Sequence, residues 1–133
     1  MTRVVLDSNI VVSAFLKPEG NEAAILRLAL AGEFELAASE PILLEYEMVL
    51  RRPKFKVDPR DVHEGLRAIR RNAQITESDR VISVCRDEAD NRFVECAETS
   101  RADCLVTGNL RHFPKEWKVT KVVNARTLLG LIT

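Results

Sequence analysis

The chain has 133 residues, the size of one domain that can bury a proper core without disulfide or metal staples. Hydrophobic residues make up 46% and charged residues 30%, the balance of an ordinary soluble globular protein rather than a repeat or low-complexity chain. Twenty Lys/Arg cancel twenty Asp/Glu, so net charge names no partner.

Val4 to Leu6 is a short apolar run on consecutive positions, the pattern of a strand buried on both faces in a parallel sheet. It stops at Asp7. Helical patterns come next, over 8–15 and 21–31, and Gly32 marks a stop. "FELAAS" reads as a second strand. Ser39 then caps a helix that tolerates Pro41 in its first turn and runs to about Arg52, where Pro53 ends it. Its apolar set is Ile42, Leu43, Tyr46, Val49 and Leu50. Asp58 caps the next helix, with Val62, Leu66 and Ile69 as its buried stripe. "AQITE" is a weak third strand, and "VISV" pairs locally or packs.

Asp87 caps a helix from Glu88 to about Arg101, with Ala89, Phe93, Cys96 and Ala97 facing inward. "CLVTG" is a buried strand, "KVVNA" a last strand and "RTLLGLI" a closing helix. Alternation at this spacing predicts a single α/β domain over 1–133 with a mostly parallel sheet and helices on both faces. Cys85, Cys96 and Cys104 are odd in number and lack CxxC spacing, which suits reduced thiols in a cytoplasmic protein. "MTR" is too short to lead a signal peptide, and the apolar run "AAILRLALA" is too short to span a bilayer.

Charge is unevenly placed. Arg51 to Arg71 holds eight Lys/Arg against three Asp/Glu, and Glu77 to Glu98 holds seven acids against three Arg. The pair of segments suits a polyanion held beside a metal-binding pocket, and equally two solvated helices. In parallel sheets, ligands bind at the carboxyl ends of the strands. Asp7 ends the first strand there, and Asn109 comes after "CLVT" at the same edge. Glu45 borders the apolar stripe of its helix, where an acid needs a partner or a function. Asp90 sits in the first turn of its helix, near the same edge, and Asp87 just before it.

Taken singly, each acid has a structural explanation: Asp7 and Asp87 as caps, Glu45 at a boundary reaching water, Asp90 at a positive helix end. Together they pose an electrostatic problem. Two carboxylates ~4 Å apart repel by ~4 kcal/mol at an effective dielectric of ~20. Relief comes from a proton, a Lys/Arg or a divalent ion. An all-oxygen set with no His pair and no Cys cluster selects Mg²⁺ or Mn²⁺ over Zn²⁺. Such a site is the usual machinery for cutting or transferring phosphates.

The segments "VVLDSNIVVSAFL", "SEPILLEYEMVLRRPKF", "RDEADNRFVECAETSRADCLVTGNLRHFP" and "VVNARTLL" resemble the PIN-domain family over about 3–130, most closely its VapC-like toxins of prokaryotic toxin–antitoxin pairs. The resemblance implies a three-layer α/β/α sandwich around about five mostly parallel strands. It implies a Mg²⁺- or Mn²⁺-dependent ribonuclease with Asp7, Glu45 and Asp90 as its catalytic and metal-holding acids. Thr107 and Asn9 match supporting polar positions. The product would carry a 5′-phosphate, and Arg51, Arg52, Lys54, Arg111 and His112 would hold the RNA backbone. A small antitoxin protein and a homodimer are the implied partners.

The match has one departure. The family's fourth acid stands in "TGD", and here the motif is "TGN" with Asn109. An amide offers an oxygen but no charge, so a second metal binds more weakly, with Asp87 as a compensating ligand. The alternative is a catalytically weakened protein that acts by binding RNA or a partner. A dehalogenase-type phosphatase needs a second Asp where Asn9 stands. A receiver domain needs a Lys after its last strand, and neither requirement is met.

Overall fold

A computed structural model describes residues 1–133. In chain order the elements are β1 (Arg3–Leu6), α1 (Ser8–Leu16), α2 (Asn21–Leu30), β2 (Glu35–Ala38), α3 (Glu40–Leu50), α4 (Pro59–Asn72) and β3 (Ala73–Ile75). Then come α5 (Asn91–Ser100), β4 (Cys104–Val106), β5 (Glu116–Trp117), β6 (Thr120–Val123) and α6 (Ala125–Ile132). Short 3₁₀ turns cover Pro53–Phe55, Glu88–Asp90 and Leu110–His112.

The sheet order is β3-β2-β1-β4-β6-β5. The first five strands in that order are parallel, and β5 pairs antiparallel with β6. Val4, Val5 and Leu6 are fully buried on successive positions, so both faces of β1 are covered. Helix α5 packs on β1, β2 and β4, α6 on β4 and α4 on β3. The strand order reverses between β1 and β4, which makes their carboxyl ends the crevice where doubly wound sheets bind ligands.

Local chemistry explains the element ends. Asp7, Ser39, Asp58, Asp87 and Asn124 each accept a backbone N–H as caps. Gly32, at φ 79°, takes the left-handed conformation just past α2 that a side chain would strain. Gly65 lets α4 approach α1, because a Cβ there would collide with the Phe15 ring.

The structure corrects two expectations, the end of α3 and the start of α5. The mostly parallel sheet of about five strands is as expected, with a sixth, the two-residue β5, folded back on β6 through a turn with Lys118 at φ 54°. Helix α3 ends at Leu50 rather than Arg52. The helix expected from Glu88 to Arg101 is a 3₁₀ turn followed by α5 from Asn91, and Ala89 is exposed rather than inward. "VISV" packs rather than pairs, the second of its two expected readings. Ile82 anchors it in the core, and its backbone N–H bonds Glu95 at 2.9 Å instead of a strand.

Candidate acidic site

Pairing across the switch point places the first two groups. Leu6 pairs with Val106, and the Asp7 N–H extends the ladder to the Val106 carbonyl at 2.9 Å. Thr107 continues β4 by bonding Val123 at 3.0 Å. Asp7 and Thr107 are therefore neighbours beyond adjacent strand ends. The Thr107 hydroxyl donates to Asp7 Oδ2 at 2.7 Å, and the Ser8 N–H donates to Asp7 Oδ1 at 2.8 Å. Asp7 is only 6% exposed. Burial pushes its carboxyl up, against the hydrogen bonds from Thr107 and Ser8, and the Glu45 charge adds to the rise.

Helix α3 brings Glu45 to the same crevice. The Ser8 hydroxyl donates to Glu45 Oε2 at 2.6 Å, so one serine serves both acids, its N–H on Asp7 and its hydroxyl on Glu45. Tyr46, next in the helix, is buried and donates its hydroxyl to the Leu6 carbonyl, locking α3 to the end of β1.

The 3₁₀ turn carries the third acid. Asp90 Oδ2 is buried with no hydrogen-bond partner. Burial first, then the charges of Asp7, Asp87 and Glu45, push the Asp90 carboxyl up to about 6. His112 Nδ1 lies 3.7 Å from that oxygen and lowers it in part. The thiol of Cys85 reports the same field: burial and then the charges of Asp90, Asp7, Asp87 and Glu88 raise it to about 11. No lysine or arginine is within ion-pair distance of Asp7, Glu45, Asp87 or Asp90.

The expected residues thus fall into two groups. Asp7, Glu45 and Thr107 are joined through hydrogen bonds, directly or by Ser8, and Asp90 lies near enough to feel the charges of Asp7 and Glu45. Asp87 is exposed and caps its turn through the Ala89 N–H at 3.1 Å, while its charge acts on Asp90. Asn9 accepts from the Gly108 N–H at 3.1 Å and so ties α1 to the loop after β4. Asn109 donates its backbone N–H to Thr107 at 2.9 Å, and its exposed side chain bonds nothing.

Two contributors escaped sequence reasoning. Ser8 carried a signal, a small hydroxyl beside Asp7 in "DSN". Asn91 is fully buried, its Oδ1 accepting from Val84 and Cys85 N–H at 3.0 and 2.8 Å and its amide donating to Glu88. It holds the loop before Asp90 in place, a role with no signature in one sequence.

Nowhere in the molecule do three Asp, Glu, His or Cys side chains close tightly enough to ligate a metal ion directly. The residues nonetheless fit a hard cation held partly through its own water, the usual manner of Mg²⁺. The oxygens are all carboxylate or amide, no lysine or arginine offsets their charge, and the buried Asp90 Oδ2 has no hydrogen-bond partner.

The sequence profile of the PIN domain matches residues 3–111, and the chain belongs to that family, whose members are generally nucleases. A curated relative, the uncharacterized protein MJ1680 of Methanocaldococcus jannaschii, is 30% identical over 110 residues, which cover 80% of this chain and 70% of that protein. Among solved structures, VapBC2 from Rickettsia felis bound to a DNA fragment from its promoter has the same fold. The TM-score is 0.62 at 18% identity, over 92% of this chain and 98% of that one. No helix of this chain is long and apolar enough to cross a membrane.

Proposed function

We propose that this protein is a Mg²⁺- or Mn²⁺-dependent endoribonuclease that hydrolyses RNA phosphodiester bonds, and that it is the toxin of a toxin–antitoxin pair. One observation carries the reading. The buried Asp90 oxygen has no partner, in a crevice where Asp7 and Glu45 add negative charge and no lysine or arginine answers it. A divalent ion bound there supplies Lewis-acid polarisation of a phosphate and acidifies a water for attack. Asp7, Glu45 and Asp90 would hold it, chiefly through its waters, with Asp87 and Asn109 at the margin.

The chain's own groups prepare that chemistry. Thr107 and Ser8 fix both Asp7 oxygens, and the Ser8 hydroxyl fixes Glu45. These bonds orient two carboxylates before any ligand arrives, which removes reorganisation from the reaction. Asp90 Oδ2 is left as the free acceptor for a water proton. Asn9, through Gly108, steadies the loop that presents Asn109.

Membership of the PIN family supports nuclease chemistry. Likeness in fold to the toxin–antitoxin complex from Rickettsia supports a small antitoxin as partner. A homodimer in the cytoplasm completes the proposal, and the three free cysteines suit a reducing compartment. The test is to incubate single-stranded RNA with the protein and Mg²⁺ or Mn²⁺. Products with 5′-phosphate ends that vanish in Asp7→Asn support the enzyme. Cleavage unchanged by Asp7→Asn contradicts the site. RNA binding without cleavage under any condition favours the weakened, binding-only reading, which the exposed and unbonded Asn109 side chain motivates.

A further inference from the structure

Asp7 and Glu45 owe their places to hydrogen bonds on their own oxygens, from Thr107 and Ser8. Asp90 lacks that support, because its buried Oδ2 accepts nothing. Its position follows from the backbone of the turn that carries it, Glu88–Asp90. Whatever holds that turn therefore positions the acid.

The holder is one face of α5. Asn91, Glu95 and Glu98 recur at intervals of four and three, so they line one side of the helix. Residues 80–85 run along that side in the opposite direction. Arg80 gives Glu98 two bonds of 2.6 Å, and the Ile82 N–H bonds Glu95 Oε2 at 2.9 Å. The Val84 and Cys85 N–H groups bond Asn91 Oδ1 at 3.0 and 2.8 Å. The same side chains reach the turn. Asn91 donates its amide to Glu88 Oε2 at 3.0 Å, and Arg92 bridges Glu88 Oε1 at 2.9 Å and Glu95 Oε2 at 2.7 Å.

Packing alone does not call for this. Ile82, 3% exposed, already anchors the segment in the core. Yet Asn91 is fully buried and Glu95 is only 8% exposed, on a helix whose other inward residues include Phe93, Val94 and Ala97. Burying an amide and a carboxylate is costly unless each is bonded. Apolar contacts tolerate sliding, whereas a satisfied polar network selects one arrangement. Only Arg86 separates Cys85 from Asp87, the cap of the turn. A slip of one residue would carry that cap about 3.3 Å along the chain's path.

We infer that the Asn91–Glu95–Glu98 face of α5 is a rack that sets the register of residues 80–85 and so places the acidic turn, with Glu95 as a positioning residue for Asp90. The inference rests on the metal-site reading and adds to it a residue that touches neither ion nor RNA.

The test separates the hydrogen bond from the charge. Glu95→Gln and Glu95→Ala remove the same charge, but glutamine keeps an acceptor for the Ile82 N–H. Mn²⁺ is titrated into each full chain without RNA, well below every thermal midpoint, and free Mn²⁺ is read by electron paramagnetic resonance. Glu95→Ala should bind about tenfold more weakly than Glu95→Gln. Amide exchange at Ile82 in the metal-free protein should rise in Glu95→Ala and stay slow in Glu95→Gln. Ile25→Val, a core change in α2, should bind Mn²⁺ as the wild type does.

Equal affinity of the two Glu95 variants, beside a wild type that binds Mn²⁺, overturns the rack and leaves the metal site standing. An equal loss in Ile25→Val also overturns it, because any loss of stability would then have the same effect. A wild-type chain that binds no Mn²⁺ sinks the metal site, and the rack's role with it. Should Glu95→Ala not fold, the same Gln–Ala pair at the partly exposed Glu98 replaces it. A smaller difference in the same direction is then expected, and no difference overturns the inference.

Discussion

The acids at the carboxyl edge of the sheet and the acids on the outer surface meet opposite fates. On the surface, Arg80 forks onto Glu98 with two bonds of 2.6 Å and holds its carboxyl down at about 2. Arg70 does the same to Glu40, and Lys121 to Glu116, lowering each carboxyl. At the carboxyl edge, Asp7 and Asp90 are pushed up by burial and by neighbouring acids. The chain has twenty Lys/Arg to distribute and places none against the crevice acids. A protein that gives cations to Glu98, Glu40 and Glu116, and even to buried Glu95, yet none to Asp7, Glu45 and Asp90 is sacrificing stability at one place, and that place sits at the sheet's switch point.

The contrast can be broken in several ways, with effects of decreasing size. Asp7→Asn or Asp90→Asn should lower RNA cleavage by roughly 10³-fold, the effect of losing several kcal/mol of transition-state stabilisation, read as initial rates at saturating Mn²⁺. Tyr46→Phe should destabilise the chain by about 1–3 kcal/mol in urea unfolding, because it leaves the buried Leu6 carbonyl without its donor.

Asp90→Asn should also stabilise the metal-free protein at neutral pH, by about 1–2 kcal/mol once solvent screening of the shift is allowed for. The sign comes from linkage. The folded carboxyl titrates near 6 and the unfolded one near 3.8, so the folded state binds more protons between those values. Stability therefore falls as pH rises from 3.8 to about 6, and the full cost persists above it. Asparagine carries no such cost, so the wild-type and variant stability curves should converge in acid.

The surface pair should give the smallest effect and the opposite sign. Arg80→Ala should give only a small loss of stability in urea unfolding. The lost increment is one that is present above the ordinary glutamate range and disappears as pH falls toward about 2.

Much of this was legible in the residues. Consecutive buried apolar positions at Val4–Leu6 and Cys104–Val106 identify interior parallel strands. Such strands put the residues just past their carboxyl ends, Asp7 and Thr107, at one edge. The caps at Asp7, Ser39, Asp58 and Asp87 were readable because each is a short polar side chain ahead of a helical pattern. The features that stayed hidden depend on tertiary contact. The break between the turn carrying Asp90 and α5 falls at Asn91, whose buried side chain bonds the loop backbone of Val84 and Cys85. β5 has only two residues, too few for any alternation to register. Ser8 looks like a helix-start residue, and only the position of α3 gives its hydroxyl Glu45 as a partner.

The most direct measurement is the thermal midpoint at neutral pH as Mn²⁺ is added to the wild-type protein and to Asp90→Asn. An uncompensated acidic crevice predicts a rising wild-type midpoint, about 2.7 kcal/mol of stabilisation at a hundredfold excess over Kd, and little or no rise in Asp90→Asn. A wild-type midpoint indifferent to Mn²⁺, or an equal rise in the variant, would contradict it.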